Sequence, residues 1–477
     1  QRPKERFEFV KDTVNKIATE SKDLFDELGI SLDTKPIEFN ARVLDKPVCM
    51  GDDRKLFEAK PLSDWFFVSI APHFDANHDS NVEDFISRLT AEAKRMGITV
   101  SKPFVKKVDY RGADTVKLVF EKIKCLPTLP PLVVFCIPYG DGTYHQIKHM
   151  ADIDVGVMTQ CMKISNLMVR SCVRNLLLKI NGKLDGKNTM IRDTKPLVFT
   201  TGLMVIGADV THPAPADRMF SSVAALVGSY DPQLTRYSAA IRVQKRSKEE
   251  MILAFKDMVV ELLYAYKGVK ANNQNLPTSL VVFRDGVSQG QFEHVLRHEH
   301  KQLLAACATI DLNYKPKITF VVVQKRHNTR LMPQNPYDKD VSKVGNIPAG
   351  TVVDTKIVDP VLFEYYLCSH EGAIGTSRPA KYVVLHDDNG FTFDAIERLS
   401  YYLCHAYVRS TKSLSVPIPV MYAHLAAKRA KDHIIARNQH MKTLEKQYDG
   451  DDEHRVALEL NARIKVNDSL RNHFYYC

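Results

Sequence analysis

The chain has 477 residues, of which 44% are hydrophobic and 26% charged; this excludes a disordered chain and predicts two or three globular domains. The charge is +10, from 66 Lys and Arg against 56 Asp and Glu, an excess that suits a polyanionic partner without requiring one. Nine scattered cysteines without a CxxC pair argue against a zinc site and against secretion, and no apolar run reaches the roughly 18 residues of a membrane span.

Residues 1–60 read as a charged helix that becomes extended around IEFNARVL. No signal peptide is expected in this segment, and a start at Gln1 is expected of a piece of a longer protein. The expected location is the cytosol, with the nucleus as the alternative. From DWFFVSIAP (64–72) strands and helices alternate: DFISRLTAEAKRMG (84–97) is amphipathic, PFVKKVDY a strand, TVKLVFEKIK a helix and LPPLVVFCIP (129–138) a buried strand. This rhythm predicts a parallel α/β sheet. A region from about 191 is richer in strands: LMVIGADV, SVAALVGSY, YSAAIRVQK, SLVVFRDG, KITFVVVQK and KYVVLHDD. Their hairpin-like and βα spacings predict a mixed sheet.

Asp209 and Asp285 each follow an apolar strand. Carboxylates at strand ends can converge at one sheet edge and hold divalent cations, although a turn or cap aspartate is the plain alternative. Two hard cations about 4 Å apart contact both the attacking and the leaving oxygen of a phosphodiester. Glu250 lies at the start of a predicted helix, KRSKEEMILAFKDMVVELL, where a first-turn glutamate is the default. Glu249 is adjacent and leaves the register open; the spacing to Met258 and Leu262 favours Glu250. VPIPVMYAH brings His424 to the start of another predicted helix, as a ligand or a core histidine. In YGDGTYHQIKHM (139–150) a glycine loop opens a helix, whose N–H groups suit a phosphate. Tyr144 and Lys148 are four apart and share a face, as do Lys179 and Lys183; alone, these read as surface lysines.

The strings IGADVTHP (206–213), FRDGVSQGQF (283–292), VVVQKRHNTRL (321–331), GNIPAGTVVDTKI (345–357), YLCSHEGAIGTSRP (366–379) and MYAHLAAKRAK (421–431) resemble the Piwi domain of eukaryotic Argonautes, and the preceding segment resembles the Mid domain. The resemblance implies an α/β protein: a linker (1–60), a Rossmann-like Mid domain (61–190) and an RNase H-like Piwi domain with a mixed sheet (191–477). It implies a catalytic set of Asp209, Glu250, Asp285 and His424, with Asp209, Asp285 and His424 as ligands of two Mg²⁺ or Mn²⁺ ions. Gln289 stands where many members carry Glu. The resemblance places the guide 5′-phosphate among Tyr144, Lys148, Gln160, Lys179, Lys183 and Arg429, and puts the loop Tyr139–Gly140–Asp141 where the first nucleotide is selected. Lys325, Arg326, Arg330, His370, Arg378, Tyr407, Arg409 and Ser415 match contacts to the guide backbone; surface charge and packing are the plain alternatives. Tyr314 matches a pocket position for glycine-tryptophan-repeat proteins.

The implied partners are a small 5′-phosphorylated guide RNA and a complementary target RNA, with no membrane. The leading reading is a metal-dependent endoribonuclease that cuts the target opposite the middle of its guide. A silencing scaffold that holds a guide without cutting is the second. A transposase or integrase core is the third, and the Mid-like half argues against it, because such enzymes need no guide anchor.

Overall fold

Two sheets organise the chain. The computed structural model describes all residues except 53, 113, 139–141, 193–201, 214–220, 245–249, 339–340, 373 and 437–452. The charged start forms helices α1 (Pro3–Glu20) and α2 (Lys22–Glu27), and two short strands follow, β1 (Arg42–Val43) and β2 (Cys49–Met50). The first sheet alternates with helices as its sequence predicts: β3 (Phe66–Ala71), α3 (His78–Met96), β4 (Phe104–Asp109), α4 (Asp114–Lys124), β5 (Val133–Ile137), α5 (Thr143–His149), β6 (Thr159–Lys163) and α6 (Cys172–Lys183). Its order is β4-β3-β5-β6 and every pairing is parallel. β5 is buried along its whole length because helices cover both faces. A π-helical turn, Met150–Val155, continues α5 toward β6.

After β7 (Met190–Ile191) the second sheet is built from β8 (Leu203–Thr211), β9 (Val223–Ser229), β10 (Tyr237–Val243), β11 (Ser279–Asp285), β12 (Lys317–Gln324), β13 (Thr351–Val353), β14 (Phe363–Cys368) and β15 (Ala380–Asp387). Helices α7 (Phe255–Lys267), α8 (Phe292–Val295), α9 (Lys301–Ile310), α10 (Phe393–Tyr402) and α11 (Ile418–Ile435) lie among them. The nine-stranded order is β1-β13-β14-β15-β12-β11-β8-β9-β10, mixed, with β11 parallel to both β8 and β12. β1, from the segment read as a linker, extends this sheet as its edge strand on β13. Arg42 Nη2 fixes it there, 2.6 Å from Asp354 and 2.7 Å from Glu397.

The buried apolar core runs without a break between the sheets. Trp65, Phe67, Phe85 and Leu177 of the first share one cluster with Tyr237, Tyr422, Phe474 and Tyr476 of the second. None of the nine cysteines is in a disulfide. Among the described residues no helix is long and apolar enough to cross a membrane.

Candidate nuclease centre and phosphate pocket

β8 and β11 run side by side; β8 continues past Asp209 to Thr211, so Asp209 lies inside its strand and does not follow it as expected, whereas Asp285 ends β11. Their register pairs Arg284 with Ala208, so Asp285 and Asp209 come next, toward the same end of two adjacent parallel strands. Alternation sets both on the face shared by Val205 and Phe283, whereas Ala208 and Arg284 point to the other. α11 covers the Asp209 face, and Gly207 lets it approach: a Cβ there would lie 2.1 Å from the carbonyl of Pro419. His424 Nδ1 consequently sits 3.2 Å from Asp209 Oδ2. α11 begins at Ile418, so His424 is in its second turn and not at its start.

Asp285 is pushed up to about 6 by burial and by the neighbouring Asp209 charge. Its hydrogen bond from the Gly286 N–H, 2.8 Å, and the Lys325 charge oppose that shift. His424 is raised as well, its protonated form favoured by the Asp209 hydrogen bond against the opposing effect of burial.

Glu250 is not helical: α7 starts only at Phe255. The reason lies in its backbone partners. The Glu250 carbonyl accepts from Arg284 Nη2, the Ile252 N–H donates to Glu299 Oε1 at 2.9 Å, and the Leu253 N–H donates to Gln244 Oε1 at 2.8 Å. The first of these takes the carbonyl that a helix ladder needs, and the other two hold the segment in its non-helical course. The Glu250 side chain lies beside Gly286, the residue after Asp285, without joining the two aspartates as a third ligand. Its Oε1 is 2.9 Å from His212 Nε2, and its Oε2 is 3.5 Å from where a Cβ on Gly286 would lie. His212 is held in turn by Ser222 Oγ at 2.8 Å. Glu249 lies outside the described residues. Gln289 is exposed on a 3₁₀ turn.

Arg284 and Glu299 form a fully buried ion pair, Nε to Oε2 3.0 Å, beneath this centre. Through it the carbonyls of Glu250 and Asp285 hang on one guanidinium. Sequence reasoning missed this clamp and His212. The signal was an arginine inside an apolar strand, SLVVFRDG, which no sheet buries without a partner.

Among the described residues no three His, Cys, Asp or Glu side chains converge as a ready ion site. The donor chemistry nonetheless fits hard divalent cations. Asp209 and Asp285 face one side of the sheet, and among the described residues neither has a Lys or Arg ion pair.

The second cluster lies where α5, β6, α6 and α11 meet. Lys148 Nζ donates to Thr159 O (3.0 Å) and Thr159 Oγ1 (2.8 Å). Lys183 Nζ donates to Thr159 O and Gln160 Oε1, both 2.9 Å. The two ammoniums thus share one carbonyl, and among the described residues each has a third N–H left over. Burial lowers both lysines, Lys183 strongly, and each is lowered further by Arg429. Lys148 lies 6.0 Å over the Tyr144 ring, as the shared helix face predicts. Arg429 Nη2 is 3.4 Å from the Tyr144 hydroxyl. Lys179 is half-buried, lowered by burial and then by Arg409, so both belong to this electropositive region. Three of these lysines read as ordinary surface cations in the sequence; the fold buries Lys148 and Lys183. α5 has only seven residues, so side chains, more than a helix dipole, make the pocket cationic. Tyr139–Gly140–Asp141 lies outside the described residues.

Of the remaining residues, Lys325 and His370 are neighbours, His370 being lowered by burial and then by Lys325. Arg330 is lowered by burial, then by Arg378 and by Arg6 of α1, which sequence reasoning missed. Crowded cations of this kind are relieved by a polyanion. Arg326 is exposed and Ser415 half-buried. Tyr407 is a packing residue, buried with its ring 5.4 Å from Tyr422. Tyr314 donates its hydroxyl to Pro277 O at 2.7 Å.

A Rossmann-like unit with a cationic pocket, joined to an RNase H-like mixed sheet with paired carboxylates, is the Mid–Piwi architecture. Residues 132–435 match the Piwi domain, and the chain belongs to that family. Its fold is that of Argonaute C-terminal lobes. The C-terminal lobe of a budding yeast Argonaute matches with a TM-score of 0.80 at 24% identity over 92% of this chain and 95% of that one. Kluyveromyces polysporus Argonaute with a guide RNA gives 0.78 at 23% over 92% of this chain and 53% of that one. Drosophila Piwi gives 0.78 at 20% over 100% and 62%. The chain thus spans about half the length of the Kluyveromyces protein.

Proposed function

We propose that this chain holds a guide RNA by its 5′-phosphate and hydrolyses the RNA strand paired to that guide. The observation that carries this reading is that one helix serves both clusters: α11 presents His424 to Asp209 and, five residues on, Arg429 to Tyr144. That offset is about 7.5 Å along the axis. Phosphate anchoring and strand cleavage would then share one rigid frame.

In the pocket, the third N–H of Lys148, that of Lys183 and the Nη2 edge of Arg429 would receive the phosphate oxygens, while Tyr144 would stack on the first base. The cations of Lys325, Arg330 and Arg378 would carry the guide backbone, leaving sequence recognition to base pairing. At the centre, Asp209, Asp285 and His424 would hold Mg²⁺ or Mn²⁺, which when bound supplies Lewis acidity to the scissile phosphate. Asp209 orients the His424 ring, and His212 with Arg284 keeps Glu250 at the edge of the centre.

A second reading is a guide-binding scaffold that does not cut. It is favoured by the exposure of His424, whose side chain is 56% accessible, and by the lack of a ready three-ligand site among the described residues. Both readings require guide anchoring, which is tested by titrating the protein with one RNA carrying either a 5′-phosphate or a 5′-hydroxyl. The 5′-phosphate form should bind at least about tenfold tighter, as expected for several charge-assisted hydrogen bonds. Equal affinities would refute the anchoring site.

A further inference from the structure

Asp152, on the π-helical turn that follows α5, is a buried carboxylate not among the residues that the pocket's chemistry calls for. Its Oδ2 accepts from Arg429 Nη1 at 2.8 Å and from His433 Nε2 at 3.0 Å, both on α11. Its own carbonyl accepts from the Asn467 N–H at 2.9 Å, tying the turn to the C-terminal segment. A second carboxylate–imidazole contact crosses the same seam in the opposite sense: Asp432 Oδ1 of α11 is 3.2 Å from His145 Nδ1 of α5. The consecutive pair Asp432–His433 therefore meets one partner of each kind on the far side.

The guanidinium is held asymmetrically. Nη1 donates to Asp152 and, at 2.5 Å, to the Tyr475 carbonyl. Among the described residues Nε makes no hydrogen bond; it lies 3.8 Å from Asp432 Oδ2, and Nη2 lies against the Tyr144 hydroxyl. Arg429 shares its surroundings with the buried ammoniums of Lys148 and Lys183, which repel it. A long side chain so placed stays only if an anion holds its far end. Burial alone would raise the Asp152 carboxyl, but Arg429, His433 and Lys148 keep it well below the usual range, so the anion is present.

We propose that Asp152 is a positioning residue for the guide 5′-phosphate, fixing Arg429 through Nη1 so that its Nη2 edge remains with Tyr144 and the two lysines. The proposal rests on the anchoring reading above. Charge and position predict opposite outcomes. If the carboxylate only diluted the pocket's positive charge, removing it would tighten phosphate binding. If it positions Arg429, removing it loosens phosphate binding selectively.

The test measures the affinities of 5′-phosphate and 5′-hydroxyl versions of one RNA for the wild type, Asp152→Asn, Arg429→Lys and the double variant. The ratio of the two affinities should fall about tenfold in Asp152→Asn, the scale of one charge-assisted hydrogen bond, with 5′-hydroxyl binding held within about twofold. The double variant should lose no more than Arg429→Lys alone. An unchanged or larger ratio, equal loss for both RNAs, or additive losses would overturn the proposal. Should Asp152→Asn fail to fold, His433→Phe removes only the second donor, and a smaller fall in the same ratio is expected; an unchanged ratio there overturns it. A wild type that does not discriminate refutes the anchoring reading, whereas a discriminating wild type with an unaffected Asp152→Asn refutes only this inference.

Discussion

Burial gives Lys148 and Lys183 a property that surface lysines lack: both lose their protons more readily than a free side chain. Phosphate binding favours the charged forms. Affinity for 5′-phosphorylated RNA should therefore fall with rising pH before the ordinary lysine range is reached, more steeply than affinity for 5′-hydroxyl RNA, and titrations on the alkaline side of neutrality check this. For the free protein the sign is opposite. A lowered lysine binds fewer protons folded than unfolded, so stability is greatest above the unfolded lysine range and declines as pH falls through the folded value. Lys183→Met should thus cut discrimination for the 5′-phosphate about tenfold or more while leaving the melting temperature equal or higher, because an apolar chain of similar length replaces a buried charge. A loss of stability would mean that Lys183 serves the fold.

Between elements, the Arg284–Glu299 pair joins the end of β11 to the segment that carries Glu250. Breaking a buried pair from one side typically costs about 3–5 kcal/mol, so Glu299→Gln should lower stability on that scale in denaturant titrations, and release Glu250 from the edge of the centre. Gly207→Ala places a methyl against the Pro419 carbonyl. It should cost at least about 1–3 kcal/mol and move α11, and with it His424, off Asp209. The elements themselves were legible wherever an apolar period was strong, as in the parallel β3–β6 sheet, β8, β11 and β12. Asp285 was legible as a strand end, whereas Asp209 proved to lie two residues inside β8, which pairs on with β9 to Thr211. What remained hidden was set by partners distant in sequence. Glu250 reads as a helical first turn until Arg284 takes its carbonyl and Glu299 holds the Ile252 N–H. Lys183 reads as a surface cation until Thr159 and Gln160 enclose it. β1 is too short to declare itself, and Asp152 acts through a helix far along the chain.

Across the whole molecule the two sheets share one apolar cluster, and the C-terminal Phe474, Tyr475 and Tyr476 pack into it. A large apolar seam couples domains, so calorimetry should show one unfolding transition; two resolved transitions would contradict the shared core. The C-terminal segment also supplies the Tyr475 carbonyl that holds Arg429. Removing residues 474–477 should therefore lower the melting temperature and discrimination for the 5′-phosphate together. Guide affinity should also fall steeply with salt, in proportion to the phosphates neutralised.

The most direct measurement is cleavage of an end-labelled complementary RNA by the guide-loaded protein, in Mg²⁺ and in EDTA, with Asp285→Asn alongside. A single Mg²⁺-dependent cut opposite the middle of the guide is expected, lost in EDTA and in Asp285→Asn while the guide stays bound. A loaded guide and a paired target that stays whole in Mg²⁺ would contradict the nuclease reading and leave a guide-holding scaffold.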